Sequence, residues 1–218
     1  MVLPLRRIRR SAGFLALALL GACAPDYSAV RDWSLQAREA VLPPAAARPP
    51  GAAATAPAPP AAVTAEGREG AALALREAAA AWLSMLAYIA DDGQPRVRTN
   101  QFQPLADVVR PIDSDGAAAV LALGDTMADG ARRNWRAPQL GVAAARGDPS
   151  FQAVMAALGR QVATEAPDAE ARGDTLSRIA EGHALLKERQ GRLSAGETAR
   201  LLRLQESELR RLVLLGGG

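Results

Sequence analysis

A catalytic histidine needs partners, and this chain of 218 residues has one histidine, His183, and one cysteine, Cys23. Ser-His-Asp and Cys-His arrangements therefore lack parts, and zinc sites built on Cys/His spacing are excluded by the same count. A di-iron bundle needs a Glu three residues before its His, where this chain has Ala180. The "DSDG" stretch, Asp113 to Gly116, has part of the EF-hand pattern, but Pro111 and Ala122 occupy its first and twelfth positions. Calcium ligation fails there, and Asp113 to Asp115 read better as a helix cap. Asp125 and Asp129 share a helical face, and Asp129 can pair with Arg133 four residues on. Nothing in the sequence brings two carboxylates together across a cleft, as a glycosidase requires. The expectation is a non-enzymatic chain with no catalytic residue, metal or cofactor; an enzyme acting on cell-wall glycan is the third reading.

Arg132, Arg133, Trp135, Arg136 and Arg146 form the densest basic and aromatic stretch. Two readings stand: a surface for anionic lipid, cell-wall polymer or an acidic protein, or a solvated loop with Trp135 turned inward. Leu201 and Leu204, beside the seam of the last helix, either pack within the chain or join that partner surface.

His183 lies in a repeat. Leu176, Ile179, His183, Leu186, Gln190 and Leu193 alternate by three and four, a heptad seam. "LSAGE" then offers Ser194 as N-cap with Glu197 three residues on, and Thr198, Leu202, Gln205, Leu209 and Leu212 continue the spacing. Folded antiparallel, Leu186 meets Leu202, Ile179 meets Leu209 and Leu176 meets Leu212, while His183 meets Gln205 and Gln190 meets Thr198. On this reading the four polar residues set the register, and His183 is a neutral core group bonded to Gln205. His183→Leu is then expected to preserve or raise stability.

The elements that carry these residues are helical. Strand signals are weak, and residues 68–91 are apolar or Ala nearly all round, the pattern of a central buried helix ended by Asp91, Asp92 and Gly93. A helix from about 116 to Trp135 carries Val120, Gly124, Met127, Ala131 and Trp135 inward. Another starts at Asp148, with Pro149 in its first turn. The fold expected is all-α, a bundle of four to five helices ending in an antiparallel hairpin. Residues 66–218 form its domain.

Ahead of that domain lies a different composition. Residues 43–65 are Pro or Ala at 18 of 23 positions, with Arg48 the only charge. Such a stretch buries too little apolar surface to fold and reads as an extended spacer. In residues 23–42, Val30, Trp33, Ala37 and Val41 fall on one helical face with Ser28 placed to cap. This short amphipathic helix either lies on a membrane, with Trp33 at the interface, or docks on the body.

The first 22 residues carry four arginines and no acid, then an uncharged apolar run from Ala12. That is a secretory signal peptide. Leu20, Gly21, Ala22 and Cys23 follow, and "LGAC" at the end of such a run resembles the lipobox of bacterial lipoproteins. The resemblance covers residues 1–23 and implies lipidation of Cys23 after cleavage before it, an anchor strong enough for stable membrane attachment. Ala24, rather than Asp, after the Cys implies the periplasmic face of the outer membrane. Without the signal the formal charge of +3 becomes −1, which removes the support for nucleic-acid binding. The expected function is an adaptor or assembly factor for another component of the cell envelope. The alternative is a helical-bundle carrier for a small apolar ligand or lipid.

Overall fold

The structure, a computed structural model, describes residues 25–42, 64–163 and 169–216. They form seven α-helices and one 3₁₀ turn, with no strand among the described residues. The lipobox, Cys23 and nearly all of the Pro/Ala tract lie outside them.

Helix α1, Ser28–Val41, begins where Asp26 Oδ1 accepts from Ser28 N at 2.9 Å, so Ser28 is the first helical residue rather than the cap. Val30, Trp33 and Ala37 are fully buried and Val41 nearly so. Helix α2, Ala65–Ala90, is capped by Thr64, whose hydroxyl accepts from Gly67 N at 3.0 Å. Alanine favours the helix and keeps its surface thin, so neighbours approach closely. Leu75, Trp82, Leu83, Leu86 and Ile89 supply the bulk. The helix ends at Asp91 and Asp92, the latter with φ 55°, a left-handed residue that Asp tolerates.

Helix α3, Gln103–Val109, was not evident from periodicity; it is held by Asn100, which accepts from Phe102 N and donates to Leu121 O. Helix α4, Ser114–Arg132, has the expected acidic cap: Asp113 Oδ1 accepts from Gly116 N at 2.7 Å. Helix α5, Leu140–Val162, corrects the sequence reading. It starts eight residues before Asp148, after the 3₁₀ turn Ala137–Gln139, and runs through Pro149. Proline forfeits one backbone hydrogen bond there, and the buried contacts of Phe151, Val154 and Leu158 hold the helix together across it. Asp148 is therefore not a cap but an interior residue.

Helices α6, Ala169–Glu188, and α7, Gly196–Gly216, close the bundle. Arg178 pairs with Glu208 at 3.3 Å and Arg189 with Glu197 at 3.6 Å, so the two run in opposite directions. Helix α7 starts one residue later than the capping box implied, with Ala195 O accepting from Ala199 N at 3.0 Å.

The chain is all-α. Helix α2 sits at the centre against α1, α3, α4 and α5; α5 carries α6; and α7 packs on α6 and α1. The first described helix thus contacts the last. Of the two readings of this helix, the docked one holds: Trp33 is a core residue, and α1 packs on α2, α6 and α7. Leu42, the last described residue before the Pro/Ala tract, is packed on the core.

Candidate functional site

Where α2, α5 and α6 meet, five side chains are joined by hydrogen bonds, Trp82, His183 and Asp148 buried, Gln152 half-buried and Lys187 exposed. His183 on α6 is fully buried. Trp82 Nε1–H on α2 donates to His183 Nε2 at 2.9 Å. Because an indole nitrogen only donates, Nε2 must be the unprotonated nitrogen, and the proton sits on Nδ1. That proton faces Asp148 Oδ1 on α5 at 3.1 Å. The other carboxylate oxygen, Oδ2, accepts from Lys187 Nζ at 2.7 Å. Gln152 Nε2 adds a bond to Asp148 Oδ1 at 3.2 Å and anchors itself on Ala180 O at 2.8 Å. Phe151 stacks on the imidazole with ring centres 4.4 Å apart.

The electrostatics follow from this geometry. The His183 hydrogen bond, aided by Lys187 and Gln152, holds the Asp148 carboxyl well below the ordinary carboxylate range, overcoming its burial. Burial pushes the His183 imidazole below its ordinary value despite the pull of Asp148. A second ring proton would also point Nε2–H at Trp82 Nε1–H, donor against donor. His183 is neutral at pH 7, and its contact with Asp148 is a hydrogen bond rather than an ion pair.

Both groups bind protons less readily when folded than when unfolded, so stability depends on pH in one direction. Their contribution is complete above the ordinary His value of about 6.5. It is lost in two stages as pH falls, first through His183 and then, below the ordinary Asp value of about 3.9, through Asp148. The melting temperature is expected to be flat above neutrality and to decline steadily on acidification, as followed by circular dichroism. A melting temperature that rises between neutrality and pH 5 contradicts the assignment.

Two glycines make the cluster fit. A methyl group on Gly147 would overlap the ring of Trp82, and one on Gly182 would overlap Trp33. Trp82 reaches His183 only because α5 has no side chain in its path. Gly147→Ala is expected to cost about 1–3 kcal/mol through overpacking, although Ala is the better helix former. Chemical denaturation will measure it; a neutral or stabilising result means the ring has room to move.

The polar seam expected from the heptad is corrected here. Both ring nitrogens of His183 are taken by Trp82 and Asp148, so it makes no bond to Gln205, whose Oε1 has no hydrogen-bond partner. Thr198 is buried at 1% exposure, but Gln190 is exposed and forms no interior layer with it. Helix α6 packs on α5 as well as α7, and its polar residue turned toward the neighbour that offered a charge. Lys187 and Asp148 carried a usable signal. Lys187 is the only lysine beside 25 arginines, and it lies four residues after the only histidine.

Of the two readings of Trp135 the inward one holds: it is 2% exposed and takes no part in a surface. Arg132 and Arg133 are exposed and pair with Asp129, while Arg136 lies near Asp92 and donates to Gln94 Oε1 at 3.2 Å. Leu201 and Leu204 are elsewhere, on α7. They line a surface groove of about 480 Å³ between α6 and α7 with Ala184, Leu185 and Gln205. Leu204 is 52% exposed. Glu181, Glu188, Glu208 and Arg178 form the rim, and Arg178 bridges Glu181 and Glu208.

The two places differ in what they can do. His183 and Asp148 are buried, both imidazole nitrogens are occupied, and only Lys187 is exposed, so the cluster ties α2, α5 and α6 together. The groove is open and apolar at its floor, and can take an apolar side chain or helix face. This fold is an all-α bundle. The chain matches no protein-family model, no curated protein and no solved structure.

Proposed function

We propose that the chain is a membrane-anchored lipoprotein of the cell envelope, lipidated on Cys23 at the periplasmic face of the outer membrane. It acts without catalysis, as an adaptor or assembly factor. Its partner protein docks in the groove between α6 and α7.

The observation that carries this reading is the exposed apolar floor of that groove, with Leu204 half exposed between acidic rims. Its position on the outside of the bundle favours a protein partner over the alternative, a carrier that encloses a small apolar ligand or lipid between its helices. The anchor rests on the lipobox resemblance at Leu20, Gly21, Ala22 and Cys23.

Two experiments test the two halves. Cys23→Ser is expected to release the protein from the membrane fraction or leave it as unprocessed precursor. A processed product that still fractionates with membranes ends the lipidation claim. For the groove, a photo-reactive amino acid at position 204 is expected to give a discrete protein adduct in living cells. The same probe at Val142 on α5, 46% exposed, serves as control and should give none. Adducts only with lipid or small molecules at position 204 support the carrier instead.

A further inference from the structure

We propose that one end of the bundle is a membrane-contact surface, and that its arginines rest on the anionic headgroups of the membrane that holds Cys23. The proposal builds on the anchored reading above.

Position is the first argument. Ser28 opens α1 five residues after Cys23. Five extended residues span at most about 17 Å, and α1 cannot unwind to lengthen them without exposing Trp33. In the first turn of α1, Arg31 Nη1 pairs with Asp91 Oδ1 at 3.2 Å. The chain therefore enters the bundle at the end where α2 finishes. That end is held close to the bilayer, since the Pro/Ala tract lies after α1 and adds no distance.

The same end gathers the 91–102 segment and the connection from α4 to α5. Gln94 Nε2 donates to Asn134 Oδ1 at 2.7 Å, and Arg132 Nη1 donates to Arg98 O at 3.0 Å. These bonds place Arg96, Arg98, Arg132, Arg133, Arg136 and Arg146 around one surface.

Charge is the second argument. Asp91 and Asp92 are met by Arg31 and Arg136. Asp129 is shared by three guanidinium groups, Arg133 at 2.6 Å, Arg146 at 2.9 Å and Arg132 at 3.8 Å. Arg96 and Arg98 are exposed and make no ion pair with a described residue. Arg96, Arg98, Arg132, Arg133, Arg136 and Arg146 outnumber Asp91, Asp92, Asp125 and Asp129, so the surface has a surplus of positive charge. Val97 and Tyr88, each about half exposed, stand at the same end, an apolar and an aromatic side chain of the kind found at membrane interfaces. Guanidinium groups suit phosphate oxygens through paired N–H donors.

The test uses the chain from residue 23 with Cys23→Ser, which keeps every core residue and carries no lipid. Vesicle cosedimentation compares phosphatidylcholine with phosphatidylcholine containing one-third phosphatidylglycerol. Binding to the anionic vesicles only is expected, falling as salt is raised. Arg96→Gln/Arg98→Gln is expected to weaken it by about tenfold or more, with an unchanged circular dichroism melt. Adding Arg132→Gln and Arg133→Gln should bring the loss to about a hundredfold. Arg68→Gln/Arg110→Gln, at the opposite end where α2 begins, should change little. Equal binding to neutral vesicles, no binding at all, or an equal loss in the control pair overturns the proposal. Displacement by inorganic phosphate at matched ionic strength overturns it too, by pointing to a soluble anion. Because this chain carries no lipid, the result is independent of whether Cys23 is modified in cells.

Discussion

Replacing His183 with leucine is expected to destabilise the fold by about 3–5 kcal/mol, from an orphaned buried donor at about 1–3 kcal/mol and a lost hydrogen bond to a charged group at about 1.5–3 kcal/mol. Leucine fits the volume but leaves Trp82 Nε1–H without an acceptor and strips Asp148 of the donor that most stabilises its charge. An unmet donor and an under-bonded carboxylate in a dry interior cost far more than the burial of one apolar side chain returns. For a domain of this size the melting temperature should fall by roughly 10 °C. The network also predicts non-additivity. A double variant, His183→Leu with Trp82→Phe, should lose less than its two single losses combined, because the second change removes a donor already orphaned. Preserved or raised stability in the single variant would restore the heptad reading of His183.

Trp33→Ala is expected to cost a similar amount, about 3–5 kcal/mol, through the cavity it leaves. The indole is fully buried and lies over Gly182, between α1 and α6. Its Nε1 has no hydrogen-bond partner, so Trp33→Phe should cost clearly less. The comparison tests architecture as well as packing. A helix lying on a membrane would shift vesicle binding when truncated and leave thermal unfolding alone. A helix docked in the bundle does the reverse, and the melt of the soluble Cys23→Ser chain separates the two.

Local structure was legible in the sequence because its causes are local. The Asp113 cap, the apolar face of Val30, Trp33, Ala37 and Val41, and the all-round apolar centre of α2 depend on residues within a turn or two. Long-range partners were not legible. Trp82 lies 101 positions from His183, and Asp148 lies 35. The heptad argument assumed that the inner face of α6 meets only α7, whereas that face is divided between α7 and α5. The Pro149 rule failed for a related reason: proline after Asp reads as a helix start, and only tertiary burial carries the helix through it. Trp135 was placed both outward and inward by the sequence, and packing chose the inward state. The acidic rim and apolar floor of the α6–α7 groove depend on how two helices sit side by side, which spacing alone does not state.

The salt contact between Lys187 and Asp148 has a practical consequence for anyone handling the protein. The chain contains one lysine. Amine-directed dyes, biotin esters and bifunctional amide-forming reagents therefore share a single side-chain target, and that target caps a buried carboxylate. Acylation removes its charge and its donor at once. A label chosen as an inert surface tag would thus act as a core mutation, and a binding study performed with it would report on a loosened bundle.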